Sequence, residues 1–336
     1  MIDLKNFLNI KHSTRNLSDE QFESIVDALA LQLEQISFIS NYKKEQLYVD
    51  WRNLFNWEPT SNSINSTHRL GLKLCEHFFP NFYDIEDIKG RSFRNQWNKD
   101  NLVKILKWNR KSHETPYLSE LKRGIYFCCG LPKSTMFRPQ MAKILVNKYH
   151  AKTVFDPCCG WGGRMLGSVS TGAHYTGFEP NTQTYENLCN LAKFLDIENK
   201  VTLICDDAIN IPKYDLPKVD LVLTSPPYFN LEVYSKEETQ SIQKYTEYDM
   251  WSTAFLQTII EHSLSIINDD GVSCWNVAKV GKNDMHNDVL KYHEKNGFER
   301  IEQFDVISSK RQALQKNGLT KSKDTTFSYK KLNRFK

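Results

Sequence analysis

The sequence predicts an α/β protein: a doubly wound sheet of seven strands ending in a C-terminal antiparallel hairpin, preceded by a mainly helical N-terminal module. Three observations predict it. From about Thr153 onward short apolar runs alternate with helical segments, the pattern of strands joined by crossover helices. Before that point the periodicity is helical and rich in aromatic residues. The last two strand runs, 298–307 and 325–332, are separated by a long basic stretch with no helical pattern, which favours antiparallel pairing over a crossover. At 336 residues the chain exceeds one ordinary domain, so the helical module is placed at residues 1–130 and the sheet domain at residues 131–336.

In the helical module, Ser18 and Gln21 have the spacing of a capping box and open an apolar-periodic run of Phe22, Ile25, Val26, Leu29, Leu31 and Leu33. Further helices are expected over 67–78, 99–107 and 139–148, with polar, Asn-rich connections such as 61–66. In the sheet domain, strands are expected at 153–155, 174–178, 201–204, 219–223 and 272–277. Helices are expected from residue 163, over 182–195, over 248–267 and around 287–296. Ligands of such sheets bind beyond the carboxyl ends of the strands, so the residues that carry chemistry belong in the loops after them.

Composition narrows the class. Hydrophobic residues at 40%, with 19 Phe, 15 Tyr and 7 Trp, supply a core and exclude global disorder. No apolar run approaches the roughly 18 residues that span a bilayer. The opening residues lack a signal-peptide core, so a cytoplasmic protein without a membrane partner is expected. The eight cysteines include the adjacent pairs Cys128-Cys129 and Cys158-Cys159, which lack the two-residue spacer of zinc knuckles. Reduced thiols and no metal site are expected. The net charge of +4 decides little, but from Lys310 onward the Lys and Arg residues face Asp324 alone, which makes a local basic surface there.

Four strand ends carry candidate site residues. The first reads Asp156, Pro157, Cys158, Cys159, Gly160, Trp161, Gly162 and Gly163; its glycines allow a sharp turn and a close approach to ligand, and the next helix offers its N-terminal amides. This departs from the glycine fingerprint of dinucleotide-binding sheets. The second ends Glu179-Pro180, a carboxylate where a ribose edge would lie. The third ends Asp206-Asp207-Ala208, where one aspartate is placed to accept a bond from an adenine amino group. The fourth ends Ser225-Pro226-Pro227-Tyr228. Two prolines fix its backbone and expose a carbonyl, a hydroxyl stands beside that carbonyl, and Tyr228 offers a flat face to a planar base, with Phe229 or Tyr234 as further faces.

On these motifs the sequence resembles the class I S-adenosylmethionine-dependent methyltransferases that modify exocyclic amino groups of DNA bases, of the N4-cytosine or N6-adenine type. The resemblance covers residues 136–336 and implies a methyltransferase-type sheet with S-adenosylmethionine as cofactor. It implies that Asp156, Pro157, Cys158, Gly160 and Gly162 form the cofactor loop, that Glu179 beside Pro180 holds the ribose, and that Asp207, between Asp206 and Ala208, meets the adenine. Phe137 and Pro139 then pack against the methionine end, and Ser225, Pro226, Pro227 and Tyr228 are the catalytic motif. Cys159 and Trp161 depart from the usual loop, and no long recognition domain separates the cofactor and catalytic motifs.

The activity so implied is methyl transfer to the amino group of a base that is flipped out of a duplex or single-stranded. A serine at the first motif position leans toward cytosine N4 over adenine N6. It also departs from the Asn-Pro-Pro-Tyr of protein-glutamine methyltransferases. DNA is the expected partner, with RNA as the alternative, and a catalytically silent nucleic-acid-binding subunit is a third reading. A restriction or phage-defence system is the setting in which a partner protein would be found; the oligomeric state stays open. Target recognition is expected from the helical module, with Arg91, Arg94, Trp97, Lys104, Lys107, Trp108, Arg110 and Lys111, and from the basic loop 310–323, whose cations would meet phosphates.

Overall fold

A computed structural model describes residues 3–59, 69–112, 114–132, 134–280, 283–305 and 325–332. The expected connection 61–66 and the basic loop 310–323 lie outside the described residues. The strands are β1 (Thr153–Asp156), β2 (His174–Phe178), β3 (Val201–Ile204), β4 (Val219–Thr224), β5 (Ile267–Val277), the two-residue pair β6 (Lys279–Val280) and β7 (Asn283–Asp284), β8 (Phe298–Asp305) and β9 (Thr325–Lys331). Seven of them form one sheet in the order β3-β2-β1-β4-β5-β9-β8. The pairs from β3 to β5 are parallel, whereas β9 runs antiparallel to both β5 and β8. This is the seven-stranded sheet with a closing hairpin that the sequence predicts.

The central strands are apolar on both faces because helices cover both. Successive side chains alternate, so Val154, Leu221, Leu223 and Cys274 enter one core and Phe155, Val222, Trp275 and Val277 the other. The first core also takes residues of the helices Pro139–Lys148, Gly163–Val169 and Thr182–Phe194; the second takes those of Thr258–Ser265 and Met285–Lys295. Strand order reverses between β2 and β4 on either side of β1, which places the ligand crevice of such a sheet at the carboxyl ends of β1 and β4.

Two elements differ from expectation. β5 begins at Ile267, five residues before the apolar run, because Ile267 pairs with Val219 and the ladder continues through a bulge opposite Leu221. Asn268 donates to Asp220 Oδ1 at 2.9 Å, so the polar stretch that reads as a turn is part of the ladder's edge. The helix expected over 248–267 is Tyr248–Trp251, a π-helical segment Ser252–Gln257 and Thr258–Ser265.

The chain divides into two compact units, Met1–Asn41 with Pro80–Thr135, and Tyr42–Phe79 with Met136–Lys336. Residues 42–79, expected in the helical module, therefore pack with the sheet. The reason lies in the helix Lys44–Asn56, whose buried Leu47 and Leu54 join Leu74, Phe79 and Leu166 in one core. Lys143, almost wholly buried, ties that helix down by donating to the carbonyls of Leu54 and Phe55 at 3.1 and 2.7 Å. In the other unit the capping box forms as expected: the Ser18 amide donates to Gln21 Oε1 at 2.9 Å, and Gln21 N donates to Ser18 Oγ at 3.2 Å. Among the described residues no helix is long and apolar enough to cross a membrane.

Candidate active site

The glycine loop is built on Asp156. This carboxylate is fully buried and accepts from Arg164 Nε, the Tyr175 hydroxyl and the Thr224 hydroxyl, each at 2.7 Å, and from Cys158 N at 3.1 Å. Its oxygens are thereby spent inside the protein, so Asp156 anchors the glycine loop from within. Arg164 also donates to the carbonyls of Cys158 and Cys159, binding the loop to the helix that follows. Gly160 and Gly162 have φ of 58° and 71°, left-handed values that disfavour a side chain. At Gly163 a Cβ would lie 1.9 Å from the Phe137 carbonyl oxygen, so Phe137 and the loop's helix meet backbone to backbone. Pro139 is buried at the first position of its helix and packs against Gly71.

Glu179 stands beside this loop. Its Oε2 accepts from Gly160 N at 2.9 Å and its Oε1 from Asn181 N at 3.0 Å, which leaves each oxygen further lone-pair capacity. Burial pushes its carboxyl up to about 7, against the two backbone N–H groups that favour the ionised form. Between the usual 4.5 and about 7 the folded chain keeps a proton that the unfolded chain has released. Stability therefore falls as pH rises through that window and levels off above it.

At the end of β3 both aspartates are engaged. Asp206 accepts from Asn210 Nδ2 and from Asp207 N, each at 2.8 Å, and from the Tyr214 hydroxyl at 2.9 Å. Asp207, nearly buried, accepts from Ile209 N at 3.1 Å and from Lys244 Nζ at 2.6 Å, and Ala208 beside it is buried.

The Ser225-Pro226-Pro227-Tyr228 corner leaves β4 directly after Thr224, whose bond to Asp156 fixes the corner next to the glycine loop. Pro226 is buried, while Ser225, Pro227 and Tyr228 are half-buried, so the chain's own packing does not bury the whole corner. Asn276 Nδ2 donates to the Tyr228 hydroxyl at 3.1 Å and to Ser225 Oγ at 3.4 Å. Phe229 is in the left-handed region at φ 50° and packs in the core against Tyr248 and Trp251, so it is not the further stacking face expected. Tyr234 lies against Trp161 of the glycine loop, ring centroids 5.9 Å apart, and its hydroxyl donates to Glu232.

The segment that follows the corner is a strap toward the other strand ends. Glu237 Oε2 accepts from Thr182 N at 3.2 Å, the Thr239 hydroxyl donates to the Pro180 carbonyl at 3.0 Å, and Lys244 reaches Asp207. The structure therefore gathers the glycine loop, Glu179, Asp207 and the diproline corner at one edge of the sheet. Burial raises the Cys158 and Cys159 thiols well above their ordinary range, which argues against thiolate chemistry in the loop. Among the described residues no group of His, Cys, Asp or Glu is placed to hold a metal ion.

The expected target-reading cations of the helical unit are largely occupied. Arg91 pairs with Asp87 at 2.6 Å, Arg94 with Asp84, Lys107 with Glu23 at 2.7 Å and Arg110 with Asp19 at 2.7 Å. Trp97 is a core residue that donates to the Leu33 carbonyl at 3.2 Å, and Trp108 stacks on Phe127. Lys104 and Lys111 are exposed. Sequence reasoning missed Tyr175, Lys244 and Asn276, and had Thr224 only as the first residue of the motif stretch 224–228, without its bond to Asp156. Asn276 carried one usable signal: a polar residue at the carboxyl end of an apolar strand.

The N-6 DNA methylase family matches residues 137–273, the stretch that holds the glycine loop, Glu179, Asp207 and the diproline corner. No curated protein matches the chain. Among solved structures, TrmN from Thermus thermophilus is similar at 16% identity and a TM-score of 0.42 over 58% of this chain, which spans about half of that protein (49%). An rRNA methylase from Streptococcus thermophilus has 14% identity and a TM-score of 0.39, covering 60% of this chain and 100% of its own. Magnesium protoporphyrin IX methyltransferase from Synechocystis PCC 6803, solved with bound S-adenosylmethionine, has 14% identity and a TM-score of 0.38, covering 57% of this chain and 79% of its own. Similarity at that level says nothing of substrate. The seven-stranded sheet and the family match together support methyl transfer from S-adenosylmethionine, with that molecule as cofactor.

Proposed function

We propose that the chain transfers a methyl group from S-adenosylmethionine to the exocyclic amino group of a DNA base, through Ser225, Pro226, Pro227 and Tyr228. The observation that carries this reading is the 2.7 Å bond from Thr224 to Asp156, which couples the corner after β4 to the glycine loop after β1. The residues fit the cofactor. Glu179 retains lone pairs on both oxygens for a ribose diol, and Asp207 retains acceptor capacity beside Lys244 for an adenine amino group. Gly160 and Gly162, with the backbone of Pro157 and Cys158, would line the methionine side, and the Phe137 to Pro139 segment backs that loop. When bound, the cofactor supplies a methyl group activated by its sulfonium.

The work left to this chain is positioning. Ser225 Oγ and the Pro226 carbonyl would accept the two amino hydrogens, which favours rehybridisation of the nitrogen toward the incoming carbon. Tyr228 would stack on the extruded base. Ser225 at the head of the corner supports cytosine N4. The adenine N6 reading is favoured by the description of the matched family. Incubation with labelled cofactor and separate DNA and RNA pools, followed by mass spectrometry of the nucleosides, tests this. N4-methylcytosine in DNA is expected, N6-methyladenine would establish the second reading, and label confined to RNA would overturn the DNA assignment. A chain that fails to bind the cofactor in calorimetry would instead be a silent nucleic-acid-binding subunit.

The raised Glu179 carboxyl gives a pH test of the ribose role. The ionised form is the one that accepts from both hydroxyls, so cofactor affinity is expected to climb as pH rises through about 7. Glu179→Gln is expected to weaken binding roughly tenfold and to flatten the pH dependence. Calorimetric titration on either side of neutrality reads both effects, and an unchanged slope in the variant would remove Glu179 from the ribose.

A further inference from the structure

We propose that Asn276 is a positioning residue for the methyl-accepting corner and that Thr326, on the closing hairpin, holds its amide in the working orientation; this rests on the reading of Ser225 and Tyr228 as the acceptor corner. Asn276 on β5 and Thr326 on β9 are direct antiparallel partners, and Trp275 of β5 pairs with Thr224 of β4, so Asn276 reaches the first residue past the end of β4. Both side chains are buried, Asn276 to 5% exposure and Thr326 to 0%. A polar pair at such a place is costly unless every group is satisfied, and an apolar cross-strand pair would pack there without that demand.

Here the groups are satisfied in one pattern. The Thr326 hydroxyl donates to Asn276 Oδ1 at 3.0 Å, which turns Nδ2 toward the corner. Its two hydrogens then serve the Tyr228 hydroxyl at 3.1 Å and Ser225 Oγ at 3.4 Å, oxygens that are themselves 3.4 Å apart. One amide thus fixes both side chains that would meet the base. With the amide turned over, Oδ1 would face the two hydroxyls, which would donate to it, and the corner would present a different set of hydrogens and lone pairs to an amino group. With the amide turned over, Thr326 Oγ1 would accept from Nδ2 and its buried hydrogen would lose the Asn276 acceptor, so Thr326 favours the arrangement seen.

The test is a double-mutant cycle on the full chain, read by single-turnover methyl transfer and by the KM values for cofactor and nucleic acid. Asn276→Ala is expected to lower the transfer rate roughly a hundredfold and Thr326→Val roughly tenfold, with KM values changed less than about twofold. Thr326→Ser, which keeps the hydroxyl, is expected to restore the rate. In the Asn276→Ala background, Thr326→Val is expected to add nothing, because its effect is routed through the amide. A folded Thr326→Val protein with the wild-type rate would overturn the proposal, as would a Thr326→Val loss that persists undiminished in the Asn276→Ala background. If Thr326→Val does not fold, Asn276→Ala alone decides: a wild-type rate overturns the proposal. Wild-type chain that transfers no methyl to DNA or RNA would overturn the acceptor-corner reading and this proposal together.

Discussion

Tyr228→Ala and Ser225→Ala are each expected to abolish most methyl transfer while leaving cofactor affinity within about twofold of wild type. On the proposed reading, removing Ser225 Oγ takes away one of two acceptors for the amino hydrogens, an interaction strengthened as the nitrogen rehybridises. Loss of one such preorganised group costs roughly a hundred- to a thousandfold in rate. Removing the Tyr228 ring takes away the proposed stacking face, worth about 1–3 kcal/mol per base, and leaves Asn276 without one of its two acceptors. Tyr228→Phe separates the two contributions, since it keeps the face and loses the hydroxyl. The measurement is single-turnover transfer beside calorimetric cofactor titration. Parallel loss of cofactor binding in the alanine variants would place these residues on the wrong ligand.

Arg164→Met should have the largest effect on the fold. The guanidinium pairs with Asp156 at 2.7 Å where both side chains are almost wholly buried, 5% and 0% exposed. Breaking a buried pair by removing one partner costs about 3–5 kcal/mol, because the remaining charge is stranded, and that is a large part of the 5–15 kcal/mol by which domains are ordinarily stable. The glycine loop also loses the donors on its Cys158 and Cys159 carbonyls, so cofactor binding should fail in whatever protein remains folded. Adding Asp156→Asn should recover part of the melting temperature, since the stranded charge disappears. Thermal unfolding of the two variants checks this, and equal melting temperatures for wild type and Arg164→Met would contradict it.

The sheet was legible because its strands are short, apolar and separated by helical periods, and the boundaries of Pro139–Lys148 and Val201–Ile204 could be read off directly. The strand-end motifs were legible because Gly160 and Gly162 permit a left-handed turn that other residues resist, while the paired prolines fix the backbone locally. What escaped depends on distance along the chain. Helix Lys44–Asn56 has an amphipathic pattern that fits either unit, and only packing of Leu47 and Leu54 assigns it to the sheet. The early start of β5 was hidden behind Asn268, Asp269, Asp270 and Gly271, which read as a turn when the pairing partner Val219 is unseen. Asp156 looked like a ligand residue, and nothing local announced that Arg164, Tyr175 and Thr224 would claim its oxygens.

The strap that carries Glu237, Thr239 and Lys244 ties the backbone after the diproline corner to the ends of β2 and β3. It starts at the diproline corner and is moored at Thr182, Pro180 and Asp207, beside the residues proposed to hold ribose and adenine. On the proposed reading, a nucleoside that displaced Lys244 from Asp207 would loosen a tether whose far end borders Tyr228. Reciprocity then requires the two ligands to alter one another's affinity by a common factor, whichever arrives first.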